Sequence, residues 1–348
     1  MITNAWLFLW LKGDTYFMDI DFLTVFIAVI SLILLAVPGY ILSKLKMLPD
    51  KTDEALSTIV LYVCQPILLF MSFQEYFKIE ILHNILIIAC LTIVIHLIMF
   101  LIIYLCIRKK TDEAKSRTAR FASLFTNCSY MGLPFLNIVF SNAENVGEII
   151  IYAAIVIAIV NFFMWTLGVY MLSGNKKDIS LKKVIFNPTI IAIIVGMLCF
   201  FIIKVPIINL VDNNTKWFFV LSKIVDSFKV VGNLVTPLAL FVIGINLSKV
   251  NLRLIFLDKS AYIVCFFKLI VMSFISILII AFLPVETIVK YVIFFLLSMP
   301  SATGTTMFAI KFGGDGNLAA VYVLLSTLLS SIIIPLLYVF ISTVVIPI

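Results

Sequence analysis

The chain has 348 residues, of which 63% are hydrophobic and only 12% charged, whereas in a soluble domain about a quarter are charged. The mean hydropathy is +1.21. The net charge of +7 comes from basic residues gathered in alternate polar connectors, a topology signal rather than a nucleic-acid surface, so composition excludes an ordinary soluble enzyme and points to an all-α polytopic membrane protein.

A bilayer span needs roughly 20 mostly apolar residues, and the sequence supplies ten such runs. Residues 1–21 form an N-terminal arm whose apolar patch, Trp6 to Leu11, is too short to span and lacks the features of a cleaved signal; Met1 and Met18 are alternative starts. The first span is expected from about Phe22 to Ser43, the second from Ala55 to Phe73 with Gln65 and Pro66 inside it, and the third from Ile81 to Ile107. A basic stretch, RKKTDEAKSRTAR, precedes the fourth span, Phe121 to Phe140, and the fifth runs from Gly147 to Ser173. A linker at 174–187 then reaches Asn187-Pro188, where proline in the first turn starts the sixth span favourably. From near Pro206 an amphipathic connector leads to the seventh span, about Val230 to Lys249, with Pro237 inside it. The eighth, Ala261 to Leu283, contains Lys268, and the ninth, Tyr291 to Phe312, turns through GGDGN into the tenth, Leu318 to Ile341.

Connectors one, three, five, seven and nine carry 17 of the 25 lysines and arginines. The bias of these residues toward the cytoplasm puts the odd connectors inside a cytoplasmic membrane and both termini outside. An internal repeat places QPILLF, from Gln65, on TPLALF, from Thr236, and Ser129 on Pro300. Each half, 22–173 and 188–348, then holds five spans. Because five is odd, the halves enter the membrane from opposite sides as inverted repeats.

Two spans are filled at mid-length with residues that hydrocarbon excludes: NCSYMGLP, Asn127 to Pro134, and SMPSATGTT, Ser298 to Thr306. Proline removes a backbone donor and disfavours helix at the residue before it, so both spans are expected to open there. Interrupted spans in corresponding halves of one chain mark a transporter binding site. The candidate substrate-binding residues are therefore Asn127, Cys128, Ser129, Gly132, Pro300, Ser301 and Thr303. Lys268 joins them because it lies about nine residues into its span, roughly 13 Å deep, with no Asp or Glu at comparable depth; it serves either as the partner of an anionic substrate or as a cap on a broken-helix carbonyl end. Pro134, Pro66, Pro237 and Gln65 are assigned to helix breaks and kinked backbone. His96 is expected to bond a neighbouring carbonyl. Asp226 and Lys229 are read as an interfacial ion pair, and the Ser326, Thr327, Ser330, Ser331 cluster as a helix-packing face.

The six cysteines all fall inside apolar runs without CxxC spacing, so neither a disulfide nor a metal is expected. No cofactor, nucleic-acid partner or catalytic dyad is indicated. The chemistry suits a secondary transporter of a small organic anion or amphipathic weak acid, with efflux by uniport favoured. A proton- or sodium-coupled dicarboxylate or amino-acid permease is the alternative, and a non-transporting ligand sensor in the membrane a weaker one.

NCSYMGLP, Asn187-Pro188 with Gly196, and above all PSATGTTMFAIKFGGDGNLAAVYVLLSTLLSSIIIPL, from Pro300, resemble the auxin efflux carrier family, which includes plant auxin exporters and bacterial permeases. That resemblance implies ten helices in two inverted five-helix repeats, with broken, crossing fourth and ninth helices. It also implies that spans three to five and eight to ten move as a bundle against a scaffold of one, two, six and seven. The oligomeric state is left open by the sequence, with a homodimer one possibility. Asn127 maps to the family's fourth-helix asparagine and Pro300 to its ninth-helix crossover proline. Plant members often carry proline just before that asparagine; here Thr126 stands there, which shifts the expected break toward Gly132 and Pro134.

Overall fold

The computed structural model describes residues 20, 22–75, 81–107, 112–141, 143, 146–180, 182, 185–249 and 257–344; the apolar patch and Met18 of the N-terminal arm lie outside them. Among the described residues the chain is helical and contains no strand. In chain order the main helices are α1 (Phe22–Lys44), α2 (Thr52–Gln74), α3 (Ile81–Cys106), α4 (Glu113–Leu124), α5 (Cys128–Val139), α6 (Val146–Ser173), α7 (Pro188–Ile203), α8 (Lys216–Lys249), α9 (Lys259–Ala281), α10 (Thr287–Ser298), α11 (Thr305–Phe312) and α12 (Gly316–Val344). Eight of them, α1–α3, α6–α9 and α12, belong to stretches long and apolar enough to cross a membrane.

Local sequence explains where helices start. Asp112 accepts from Lys115 N–H at 3.0 Å, Asn187 from Thr189 N–H at 2.9 Å, Thr215 from Phe218 N–H at 3.2 Å and Asp258 from Ser260 N–H at 2.7 Å, each meeting an amide that the first turn leaves without a partner. Pro188 follows Asn187 in the first turn, where its missing N–H is harmless. Gly174 and Gly313 end α6 and α11 with φ of 71° and 81°, the left-handed conformation that glycine adopts without a Cβ penalty.

Two boundaries differ from the expected ones. Helix α4 starts at Glu113, not near Phe121, so the basic connector is helical from Glu113 onward. Its arginines hold the ends of neighbouring helices. Arg120 Nε donates to Ile107 O at 2.7 Å, just past the end of α3, and Arg117 donates to Leu172 O and Ser173 O at 3.1 and 3.0 Å, at the end of α6. Cations at carbonyl ends satisfy acceptors and complement the helix dipole. Likewise, the amphipathic connector before the seventh span is itself helix from Lys216, joined to the span through a turn at Leu234. On it Asp226 pairs with Lys223 at 3.8 Å. The helical period of that connector, with Thr215 as its cap, outweighs its polarity.

Two of the prolines inside spans, Pro66 and Pro237, are absorbed locally. Pro66 follows a widened, π-helical turn at Val60–Cys64, and Leu61 O there accepts from Thr189 Oγ1 of α7 at 3.5 Å. Pro237 lies in the first turn after Leu234, where no donor is needed.

Helices α1 and α8 touch through their backbones. A Cβ on Gly39 would lie 2.4 Å from Phe241 O, and one on Gly244 would lie 1.9 Å from Ala36 O. Ser248 Oγ donates to Ser43 Oγ at 2.6 Å across the same pair. Helix α2 packs on α7, with Phe73 against Gly196, and on α8, with Leu68 against Gly232. A second set of contacts joins α3 to α6, where Asn84 Nδ2 donates to Tyr152 OH at 2.9 Å, and α9 to α12, where the Ser260 and Tyr322 hydroxyls lie 2.7 Å apart.

Small residues let membrane helices approach this closely. Gly244→Ala is therefore expected to destabilise the protein by about 1–3 kcal/mol through overpacking. Gly304→Ala, with no atom nearer than 3.9 Å, should leave the melting midpoint in detergent unchanged. At the end of the bundle, Lys115 pairs with Asp258 at 2.9 Å. Burial acts to raise the Asp258 carboxyl, but hydrogen bonds from Ser260 and Lys115 outweigh it and hold the group below its ordinary value. A depressed carboxyl stabilises the fold above its unfolded-state pKa of about 3.9 and loses that contribution as pH falls through the folded-state value. Asp258→Asn should thus lower the midpoint at pH 7 and flatten its fall below about pH 4.

Candidate functional site

Helix α4 stops at Leu124 and α5 starts at Cys128, while α10 stops at Ser298 and α11 starts at Thr305. The two gaps meet. Asn127 N–H donates to Pro300 O at 2.8 Å, and Ala302 N–H donates to Phe125 O at 3.0 Å, an antiparallel bridge with Thr126 opposite Ser301. The chemistry of Pro300 accounts for one side: it has no N–H to give a helix, and it forces Met299 into extended backbone, φ −58° and ψ 151°. On the other side the chain re-enters helix at once through a widened turn, Asn127 O accepting from both Met131 N–H at 3.2 Å and Gly132 N–H at 2.9 Å. The first break thus lies at Phe125–Asn127, upstream of Gly132 and Pro134, and Thr126 sits at its centre.

Gly132 and Pro134 serve the re-entry into helix. A Cβ on Gly132 would lie 2.6 Å from Leu296 Cδ2 and 3.3 Å from Met299 Cγ, so glycine is what lets α5 lie against α10. Pro134 is in the opening turn of the α-helical part of α5.

Side chains reach across the bridge to the carbonyls left over. Thr126 Oγ1 donates to Leu296 O at 2.7 Å and lies 3.3 Å from Met299 O; Ser301 Oγ donates to Ala122 O at 2.8 Å. Each broken helix therefore has its carbonyl end capped by a hydroxyl from the other. Lys268 Nζ donates to Leu297 O at 3.0 Å, and Ser326 Oγ accepts from Ser301 N–H at 3.1 Å. All four side chains are buried, Lys268 completely.

What remains unpaired is specific. Among the described residues Asn127 Nδ2, Ser123 Oγ, Ser298 Oγ and Gln65 Oε1 are buried atoms without a hydrogen-bond partner. Gln65 gives its Nε2 to Ser129 Oγ at 3.2 Å, joining α2 to α5, and Tyr130 OH lies 3.4 Å from Ser57 O. Cys128, Gly132, Pro300 and Ser301 are buried, whereas Ser129 and Thr303 are half-buried. Pro66 and Pro237 stand apart, in α2 and α8. His96 Nδ1 is 2.8 Å from Thr92 O, which makes Nδ1 the protonated nitrogen and leaves Nε2 a bare acceptor without a partner; its ring stacks on Phe163 at 5.8 Å. The hydroxyls of Ser326, Thr327, Ser330 and Ser331 each bond a carbonyl three or four residues back.

Sequence reasoning missed Thr126, Ser326 and Ser123 as members of the break. Ser326 stood in a cluster read as a helix-packing face, whereas its Oγ also meets Ser301 N–H; Thr126 offered only its position directly before Asn127. Beside the break, a cavity of about 160 Å³ lies among α1, α8 and α12, with Leu32, Ile243 and Leu328 in its walls and Met131 from the turn after Asn127.

A broken-helix pair bridged in this way, within a bundle of apolar spans, agrees with the comparison of families: the model described as membrane transport protein matches residues 24–338. The chain belongs to this family, that of the auxin efflux carriers. No curated protein matches it. Membership makes the chain a multi-pass membrane transport protein, and a cluster of the polar residues that this transport protein buries, Ser123, Thr126, Asn127, Ser298 and Ser301, lies where its two interrupted helices meet.

The reciprocal caps give a direct test. Thr126→Val and Ser301→Ala each strand a buried carbonyl, a loss of about 1–3 kcal/mol per site, read as a lower melting midpoint. Thr306→Val, outside the bridge, should have no comparable effect.

Proposed function

We propose that this membrane transport protein is a secondary transporter that carries a small organic anion or amphipathic weak acid across the cytoplasmic membrane, as efflux by uniport. The observation that carries this reading is Asn127: in a break where backbone donors and acceptors are bonded to one another, its buried amide nitrogen is a hydrogen-bond donor with nothing to bind. A buried donor without a partner costs free energy that a carboxylate can return. Ser129 and Thr303, half-buried at the ends of the two breaks, and Cys128, Gly132, Pro300 and Ser301, which shape it, complete the substrate site. Lys268, fixed at the carbonyl end of α10, supplies positive potential. The apolar cavity beside Met131 suits the hydrocarbon part of an amphipathic acid.

In this reading α4 with α5, and α10 with α11, each make one span, so that ten spans form two inverted five-helix repeats with both termini outside. The pairs α1 with α8 and α2 with α7 form a scaffold, and the broken helices ride with α3, α6, α9 and α12 in an elevator-like movement. The membrane potential alone contributes roughly 2.3 kcal/mol per charge per 100 mV to anion export. The bare His96 Nε2 is the one observation that favours a proton-coupled alternative.

Purified protein in liposomes with an imposed potential, screened with radiolabelled organic acids, should show export that persists when proton and sodium gradients are removed. Asn127→Ala is expected to reduce flux at least tenfold, corresponding to about 1.4 kcal/mol, without loss of folding. Export that stops with the ion gradients would replace uniport by coupled transport; binding without flux would make the protein a sensor.

A further inference from the structure

The cavity among α1, α8 and α12 runs along α1. Leu32, Val37 and Tyr40 are in its wall, and at 1.5 Å per residue the stretch from Leu32 to Tyr40 covers about 12 Å. Val37 is 39% exposed, which opens the cavity on the surface that α1 turns to lipid. The wall offers little to a polar ligand. Its two hydroxyls are those of Tyr40 and Thr327, and Thr327 gives its own to Val323 O at 2.7 Å. An apolar slot parallel to a spanning helix and open to the bilayer has the direction of a lipid tail. Its Tyr40 end is charged. Lys44, in the last turn of α1, holds Nζ 5.9 Å from the centre of the Tyr40 ring, and among the described residues no ion pair includes it. Two acids at the start of α2 are already engaged, Asp53 by Lys249 at 2.6 Å and Glu54 by Lys51 at 3.9 Å. With both termini outside, this end faces the cytoplasm, where basic pockets between spanning helices take anionic lipid headgroups.

We propose that this cavity is a binding site for an anionic phospholipid of the cytoplasmic leaflet, with one acyl chain in the slot and the phosphate at Lys44 Nζ and Tyr40 OH. The ammonium and the phenol O–H are donors to the phosphate oxygens. The tail then lies where α1 and α8 face α12, and the apolar part of a transported acid, passing Met131 from the break, competes with it for the same space. The site goes beyond the transport reading and does not depend on it, because lipid binding is measured without a substrate.

The decisive experiment melts delipidated, detergent-purified protein with dioleoylphosphatidylglycerol, dioleoylphosphatidylcholine, sodium oleate or glycerol 3-phosphate added at equal concentration. Phosphatidylglycerol at about a hundred times its dissociation constant should raise the midpoint by about 5 °C. Phosphatidylcholine should raise it less, and the fatty acid or the headgroup alone least. Lys44→Gln, at an exposed position, should bring the phosphatidylglycerol shift down to that of phosphatidylcholine, whereas Lys44→Arg should keep the difference. Leu328→Trp fills the slot and should abolish both shifts; Ile243→Phe carries the same test should the tryptophan variant fail to fold. Equal shifts with the two phospholipids in the wild type would overturn the proposal, and so would a phosphatidylglycerol shift that survives either Lys44→Gln or the filled slot. Oleate as effective as phosphatidylglycerol would make the cavity a site for fatty acids instead, and glycerol 3-phosphate as effective would reduce it to a surface attraction for anions.

Discussion

The structure depends on two backbone hydrogen bonds, Asn127 N–H to Pro300 O and Ala302 N–H to Phe125 O. A helix that opens among apolar spans frees amides and carbonyls where no bulk water can take them, at several kcal/mol for each group left unmet. Two helices opened at the same place can bond to each other. The bridge does this with the backbone, and the Thr126 and Ser301 hydroxyls finish it by crossing to the opposite helix end. Because the breaks satisfy each other, neither is stable alone, and the few atoms left over, Asn127 Nδ2 foremost, stand out as available to a ligand.

The same constraint explains three basic side chains, two of them buried. Arg120 meets a carbonyl past the end of α3, Arg117 the end of α6 and Lys268 the end of α10. In each case a long basic side chain from a neighbouring helix meets carbonyls that a last turn leaves exposed, where the helix dipole favours positive charge. The arginines act from the basic connector side of the bundle. Lys268 repeats the device in the interior, beside the break, and that position gives its charge a bearing on what the site can hold.

Packing divides the helices unevenly. The α1–α8 contact runs backbone to backbone through Gly39 and Gly244, and such a contact resists sliding. Helix α1 also packs on α12, but with an apolar cavity among α1, α8 and α12, and the Gln65–Ser129 and Tyr130–Ser57 contacts from α2 to α5 are long, at 3.2 and 3.4 Å. Apolar surfaces with few short polar ties can shift without stranding hydrogen-bonding groups, which is what the proposed movement of the broken helices against the scaffold requires.

Much of this was legible in the sequence because it follows from local chemistry. Runs of apolar residues marked the eight stretches long enough to span, Pro300 located the second interruption and the Asn127 motif the neighbourhood of the first, and the motif from Pro300 to Leu336 gave the family. Helix ends at Asn187 and Thr215 are likewise set by their own side chains. What sequence could not supply is which groups meet across the chain. The first break is at Phe125–Asn127 because Pro300 O and Ala302 N–H lie opposite it, and not because of Gly132 or Pro134, whose own chemistry drew attention to them. Thr126, Ser326 and the carbonyl partner of Lys268 are in the same class. A hydroxyl or an ammonium has the same local signature whether it faces lipid, water or a severed helix end, so its role was decided only when folding brought that end within 3 Å.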